Sequence, residues 1–224
     1  MTACLTVSLT QNETGLMRQI SAKHRFMGLF SALFLLALLP AGPVWADRTG
    51  EAEQLVTEMM GRAKQAVENT ALDEAVKHAE VSALLTSYFD VDGIARAATG
   101  QYWRSASAEE RSQYQALFLD TLVRTAASQF DQFRGLEFQA TASSQRGDKM
   151  VLVGGVIRDP TGQRPQAVVN WRLTTLPGQP ARIIDIEIEN ISMLMTQRQE
   201  NIAIIRKNGG QFSALITSLQ AAAN

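Results

Sequence analysis

Acidic side chains occupy every second position of one short segment around residue 185, with isoleucines between them. Two carboxylates can act as general acid and general base, but they must then face each other across a substrate. Residues two apart in an extended segment lie on the same face of a sheet. Asp185, Glu187 and Glu189 therefore line up rather than converge. We expect a solvated sheet face on which they pair with Arg172 or Arg182 of neighbouring strands.

The other residues that could carry a reaction do not form a recognisable catalytic pattern. His78 is the only histidine after residue 46, and nothing around it resembles a nucleophile elbow. Gly154-Gly155 lies within an apolar run, and Gly209-Gly210 lacks the following Lys-Ser/Thr of a phosphate loop. The sequence therefore predicts a protein that is not an enzyme, with no catalytic residue, no metal site and no cofactor.

The N-terminal region has the pattern of a signal peptide. A basic patch at 23–25 is followed by an uncharged apolar run at 27–39, then by helix-breaking prolines and the small residues of Val44-Trp45-Ala46. The run is shorter than the roughly 20 residues of a membrane-spanning helix. We predict a cleaved signal peptide at 1–46, with Met17 as a possible true start, and therefore a periplasmic protein. The alternatives are an uncleaved anchor or a buried core helix.

The remaining chain, 47–224, is expected to form a single domain. Loss of 1–46 removes Cys4, the only cysteine, which excludes disulfides, cysteine metal sites and cysteine nucleophiles. The whole chain has 21 basic and 22 acidic residues. Without the first 46 residues its net charge is about −3, which gives no reason to expect nucleic acid as a partner.

Helical periodicity dominates the first half of this domain. The spacing predicts a helix over 50–68 with Leu55, Met59, Ala63 and Ala66 on its apolar side, and a second helix over about 71–87. Asp90 or Asp92 is expected to cap a short helix that runs to residue 98 and ends before a glycine at 100. A capping box at 107–110 predicts a long helix over about 108–133.

Alternating patterns replace the helical ones in the second half. Four strands are predicted within 136–141, 150–157, 168–174 and 183–189, separated by turns rich in glycine and proline. Short turns predict an antiparallel meander with one dry face. A capping pattern at Thr196 predicts a helix from about 197 to 208, and a last helix is expected over about 211–221. This order of helices, strands and helices indicates the α+β class.

The dry face of the meander is the candidate binding surface. We expect it to present inward-pointing apolar side chains and to be continued by Ile191, Met193, Leu194 and Met195, since methionine suits surfaces that accept variable guests. The pattern alone leaves open whether this face lines a cavity or belongs to a filled core. The candidate lipid-contacting residues are Val169, Trp171, Leu173, Ile184, Ile186 and Ile188, together with Val151 and Val153.

Several motifs in order and spacing resemble the MlaC family, also called toluene-tolerance auxiliary proteins, which includes the hopanoid-associated HpnM proteins. The resemblance covers about 88–219. One departure is Asn190, where many relatives have glycine, and we expect it to affect only the turn before Ser192. The matching blocks are Phe89-Asp90-Val91-Asp92, Gly100-Gln101-Tyr102-Trp103-Arg104, Gly147-Asp148-Lys149, Asp159-Pro160, Asn170-Trp171-Arg172-Leu173, Ile184-Asp185-Ile186, Glu189-Asn190-Ile191-Ser192-Met193, Thr196-Gln197-Arg198 and Asn208-Gly209-Gly210.

The resemblance implies a curved antiparallel sheet wrapped by helices that enclose an apolar pocket for the two acyl chains of a phospholipid. It also implies a carrier that moves lipid across the periplasm and maintains the lipid asymmetry of the outer membrane. The implied partners are an outer-membrane lipoprotein complex and the MCE-domain subunit of an inner-membrane ABC transporter. Two alternatives remain: a carrier of hopanoids or other lipids, and a structural adaptor of the transporter with a filled core. For Tyr102 and Trp103 the alternatives are a binding role and the packing of a helix against the sheet. For Arg104 they are contact with a phosphate or a partner and plain exposure to solvent.

Overall fold

The computed structural model describes residues 48–69 and 73–223, so the predicted signal peptide at 1–46 lies outside the described residues. The domain begins with five helices and a short 3-10 turn. These are α1 (Arg48–Glu68), α2 (Glu74–Tyr88), α3 (Val91–Thr99), α4 (Tyr102–Ser105), α5 (Ala108–Gln129) and the 3-10 turn Phe130–Phe133. No helix among the described residues is long and apolar enough to cross a membrane.

The helix boundaries follow local capping chemistry. Asp73 accepts a hydrogen bond from the Val76 amide at 2.8 Å and caps α2. Asp90, one of the two caps predicted for α3, accepts from the Gly93 amide at 2.9 Å. The predicted capping box of α5 is present in full, because Ser107 and the residue three positions into the helix bond each other's amides. These side chains satisfy amides that a helix N-terminus otherwise leaves unpaired.

An antiparallel meander follows the helices, in the order β1-β2-β3-β4-β5. The predicted four strands are confirmed as β1 (Glu137–Arg146), β2 (Met150–Arg158), β3 (Ala167–Thr174) and β4 (Arg182–Ile188), with a two-residue edge strand β5 (Ile191–Ser192) in addition. Glu189 and Asn190 form the turn into β5 with φ angles of 50° and 65°. Asparagine tolerates this left-handed region better than most residues, so Asn190 can adopt the conformation that the turn requires.

The start of the next helix differs from the prediction. Helix α6 covers Met193–Lys207, so the predicted start at about 197 is wrong, and Met193, Leu194 and Met195 belong to a helix rather than to the sheet. Ser192 Oγ accepts from the Met195 amide at 3.0 Å, and the Asp185 carboxylate accepts from the Leu194 amide at 2.9 Å. These two acceptors satisfy the first turn before Thr196 is reached. The last helix, α7, covers Ser213–Ala223.

Three apolar clusters hold the described residues together. One lies between α1 and the sheet. The second joins α3, α5, α6 and α7 around Tyr114, Phe118, Ile205 and Leu215. The third joins α1, α2 and α5 through Val67, Val81, Val123, Ala127 and Phe130. Helix α1 is thus shared: its C-terminal end packs on other helices, and its N-terminal half packs on the sheet. The α+β class, with its order of helices, sheet and helices, agrees with the prediction.

Candidate functional site

The strand register defines one continuous inner face of the sheet. Directly opposed residues of neighbouring antiparallel strands point to the same side, and the pairs in β2, β3 and β4 form three rows across the sheet. These rows are Val151–Leu173–Ile183, Val153–Trp171–Ile186 and Gly155–Val169–Ile188. The side chains in these rows carry no charge, and the only polar atom among them is the indole nitrogen of Trp171. The face has the composition typical of sites for apolar ligands.

Seven of the eight predicted site residues lie in these rows, and Ile184 does not. A β-bulge between Arg172 and Leu173 of β3 inserts one extra residue into β4, so Ile183 lies opposite Leu173. Ile183 is fully buried in the cluster beneath α1, whereas Ile184 is half-buried and is not part of that cluster. The strict alternation predicted for Ile184 is therefore wrong, because a bulge shifts the side-chain order by one residue.

Helix α1 covers the inner face. Ala52, Val56 and Met59 pack on the strand residues of the first cluster, with exposed fractions of 0%, 0% and 4%. Their spacing of three and four residues places them along one side of a helix. The buried side is rotated from the one predicted around Leu55 and Ala63, both of which are half-buried. Ile188, at the open end of the rows, remains 40% exposed.

An aromatic pair fills the middle of the face. A Cβ atom on Gly155 would lie 2.2 Å from the Phe138 ring, so this ring occupies the space that a side chain at 155 would need. The same ring meets the Trp171 ring in a T-shaped contact with 6.3 Å between centroids. Phe138 is not among the predicted site residues. The sequence feature that could have identified it is its position in the alternating pattern of the first predicted strand, next to a strand that contains two glycines.

The opposite face of the sheet carries an ionic network. Arg172 forms an ion pair with Asp185 at 2.9 Å and a second one with Glu187. Ser192 Oγ donates to Asp185 Oδ2 at 2.6 Å, and the amide of Leu194 donates to the other oxygen. The predicted pairing with Arg172 is confirmed, but the prediction of a solvated face is wrong for Asp185, whose carboxylate is buried. All its oxygens are bound by the fold, so this group joins α6 to β4.

The Tyr-Trp-Arg motif lies in the helical part of the domain. Tyr102 and Trp103 pack against the second cluster. The Arg111 guanidinium stacks over the Trp103 ring at 5.5 Å and donates to the Trp103 carbonyl at 2.9 Å. Arg104 is exposed. Tyr102 and Trp103 therefore stabilise the helical layer and do not contribute to the inner face.

Two surface depressions are lined by described residues, with volumes of about 560 Å³ and 440 Å³. The first runs along α1 and is lined largely by Glu53, Gln54, Thr57 and Glu58. The second lies between the start of α3 and α5. Neither is lined by residues of the inner face. No group of three or more His, Cys, Asp or Glu side chains within 48–69 and 73–223 is arranged to hold a metal ion.

The fold and the site together define an α+β protein whose candidate site is an uncharged apolar sheet face covered mainly by α1. The chain belongs to the MlaC protein family, whose model matches residues 53–221, which confirms the resemblance. Its fold is similar to that of a phospholipid-binding protein from Ralstonia solanacearum, solved at 1.53 Å in complex with a phospholipid. That match has a TM-score of 0.66 and 19% identity, and covers 76% of this chain and 95% of the other.

Proposed function

We propose that this protein binds one phospholipid, with its two acyl chains between helix α1 and the inner face, and carries it through the periplasm. The observation that carries the proposal is a wide apolar sheet face covered mainly by helix α1, with Leu84 and Tyr88 of α2 beside it. A carrier needs a surface that excludes water in the empty state and becomes available to lipid when one element moves. The membership of the MlaC family and the phospholipid bound by the structural relative support the same function.

The contacts of α1 divide it into a fixed and a releasable half. Its C-terminal end is fixed by Val67 in the third cluster and by Tyr88, which donates to Glu58 at 2.7 Å and accepts from Arg62 at 3.3 Å. The polar contacts of the N-terminal half are made by Glu53, which accepts from Ser143 Oγ of β1 at 2.9 Å, and by Arg48, which donates to the Asp148 carbonyl in the turn between β1 and β2. Exposed polar contacts of this kind are weak. We therefore propose that the N-terminal half lifts from the sheet to admit the acyl chains.

The energetics favour a carrier between membranes rather than free lipid. Transfer of two chains of ~16 carbons from an apolar site to water costs on the order of 20 kcal/mol, at about 0.8 kcal/mol per methylene. Transfer from the protein to a bilayer exchanges one apolar environment for another, so its cost is small. The same face can therefore hold lipid during transit and release it at a membrane protein.

Lipid analysis of the purified protein is the direct test. We expect about one diacyl phospholipid to copurify with each chain. The variant Ile186→Asp places a charge in the central row, next to Trp171, at a half-buried position where the carboxylate keeps contact with water. It should fold but carry no lipid. The matched control is Ile184→Asp, two residues away, half-buried and outside the rows, which should keep its lipid.

Two results would contradict the phospholipid carrier. A wild-type protein that never holds lipid, together with an unfolded Ile186→Asp variant, would favour the filled-core adaptor. A wild-type protein that copurifies with a polycyclic lipid instead of a phospholipid would favour the hopanoid carrier. Thermal unfolding distinguishes loss of fold from loss of lipid, because a change of 1 kcal/mol shifts the Tm of a domain of this size by roughly 2–4 °C.

We further propose that the carrier exchanges lipid with an outer-membrane lipoprotein complex and with the MCE-domain subunit of an inner-membrane ABC transporter. A shuttle must leave each partner, so we expect micromolar affinities and small interfaces. Calorimetry with each purified partner and transfer of labelled lipid would test this. Absence of both contact and transfer would contradict it.

Export is tested separately: mass spectrometry of protein from the cell envelope should find Asp47 at the N-terminus.

A further inference from the structure

One polar atom lies within the inner face without a partner. The indole Nε1 of Trp171 is buried and makes no hydrogen bond, while the residue as a whole is 6% exposed. The Phe138 ring meets it in a T-shaped contact and has no oxygen or nitrogen atom that could accept a hydrogen bond. Buried donors almost always have a partner in native proteins. An unpaired one in a candidate binding face therefore points to an acceptor supplied by a ligand.

The other two buried polar atoms without a partner among the described residues do not share this position. Arg124 Nε belongs to a guanidinium whose other nitrogens bond Asp120 at 3.1 Å and the Ala222 carbonyl at 3.4 Å. Thr175 Oγ1 follows the end of β3, where the backbone amide of the same residue bonds the Lys149 carbonyl at 2.9 Å. Trp171 is thus singled out by its location between Val153 and Ile186 in the central row.

Resting on the proposed phospholipid carrier, we propose that the Trp171 indole N–H donates a hydrogen bond to an ester carbonyl of the bound lipid. The ligand is then an acyl-ester lipid, oriented with the junction of its glycerol and acyl chains at the central row. A hydrocarbon chain alone has no acceptor for this donor. The hydrogen bond would fix the depth at which the lipid lies, a property that apolar contacts leave undefined.

The charges around Trp171 select a neutral acceptor over a phosphate. Its in-register neighbours are apolar, and the adjacent cation, Arg172, lies on the opposite face of the sheet. Arg172 is also already bound by Asp185 and Glu187. A phosphate at Trp171 would therefore be buried without a counter-ion, which is strongly unfavourable. An ester carbonyl carries no net charge and needs only one donor.

The test compares two phospholipids that have the same headgroup and chain length but differ in having ester or ether links to the glycerol. Delipidated protein is titrated with each. We expect the wild type to bind the ester lipid about 3- to 10-fold more tightly, the range of one net hydrogen bond. The variant Trp171→Phe keeps an aromatic ring but lacks the N–H, and should bind both lipids with equal affinity. The control Trp103→Phe, on a tryptophan outside the face, should keep the preference.

A second readout works on the unaltered protein. In a ¹⁵N spectrum, the indole resonance of Trp171, assigned by its absence from the Trp171→Phe spectrum, should shift downfield when the ester lipid is loaded but not when the ether lipid is. Equal affinities and equal shifts for the two lipids in the wild type would overturn the role of Trp171 while leaving the carrier function intact. Failure of the wild type to bind either phospholipid would instead overturn the proposed function. An ester preference retained by Trp171→Phe would also overturn the inference.

Discussion

Fixing the N-terminal half of α1 to the sheet should prevent lipid uptake. The positions for a covalent link are Glu53 on α1 and Ser143 on β1, whose side chains are joined by a hydrogen bond of 2.9 Å. Replacing both by cysteine, in a chain with Cys4 changed to serine, leaves these two thiols as the only ones. A short bifunctional thiol reagent can then connect them without disturbing the apolar contacts beneath the helix.

The size of the effect follows from the buried contacts. Lifting the N-terminal half of α1 exposes Ala52 and Val56 and the strand side chains that face them. At about 1.5–3 kcal/mol for each large apolar side chain, this costs on the order of 5–8 kcal/mol. Acyl chains that enter beneath the lifted helix cover the same strand side chains again and so offset part of this cost. A covalent link removes this route, and we expect uptake of fluorescent phospholipid to fall at least about 100-fold.

The controls separate closure from chemical damage. The same double-cysteine protein treated with a monofunctional reagent should load normally, and a cleavable linker should restore loading once it is cut. Linking after the lipid is bound should trap the cargo, so that it survives extraction by vesicles. If the linked, folded protein takes up lipid at the rate of the free protein, α1 does not have to leave the face and the proposed entry route is wrong.

Three further predictions concern the stability of the protein. Gly155→Ala brings a Cβ against the Phe138 ring and should destabilise the protein by about 1–3 kcal/mol in urea unfolding. The control Gly61→Ala, with open space around the added Cβ, should be neutral or slightly stabilising. Equal effects of the two substitutions would contradict the close contact at Gly155. Hydrogen bonds from a neighbouring threonine lower the pKa of Asp159 to about 2, below its unfolded value near 4. Its contribution to stability is therefore present above pH 4 and is lost as the pH falls towards 2, and an acid titration of Asp159→Asn should lack this component. Asp185→Ala should cost about 3 kcal/mol because it removes the acceptor of buried hydrogen bonds at the start of α6; an unchanged Tm would refute that role.

The sequence predicts the parts of this fold that depend on neighbouring residues. Capping at Ser107 and Asp90 and the alternation in β3 are local patterns, and the structure confirms them. The errors arise where residues distant in the sequence determine the local structure. Helix α6 begins four residues earlier than predicted because the carboxylate of Asp185, on another element, satisfies its first turn. The bulge that replaces Ile184 by Ile183 is likewise a property of strand pairing and has no signal in the alternating pattern.

In the candidate site, too, the strand positions are predicted from the local pattern and the helix contacts are not. Alternation predicts Val169, Trp171 and Leu173 as inward-facing, because each strand residue has only two sides to choose from. Side chains of a helix point in all directions around its axis. A wide apolar stripe therefore does not define which of its residues make the contact. The sequence therefore predicts that α1 is amphipathic but not that Val56 faces the sheet, nor that the helix is the cover of the inner face.

A filled core and a lipid pocket are not opposites in this protein. An apolar face left open would expose a large patch to water, which favours aggregation. A face closed by residues that could not leave would bind nothing. In the structure, Ala52 and Val56 close the face through apolar contacts, while the polar contacts of this half, such as Glu53 with Ser143, lie at the exposed margin. The face is therefore close-packed and protected, and acyl chains that replace these contacts keep it covered. Because the chains pass from one apolar environment to another, loading and release are close to balanced, and release depends on a membrane or a partner that accepts the chains as they leave.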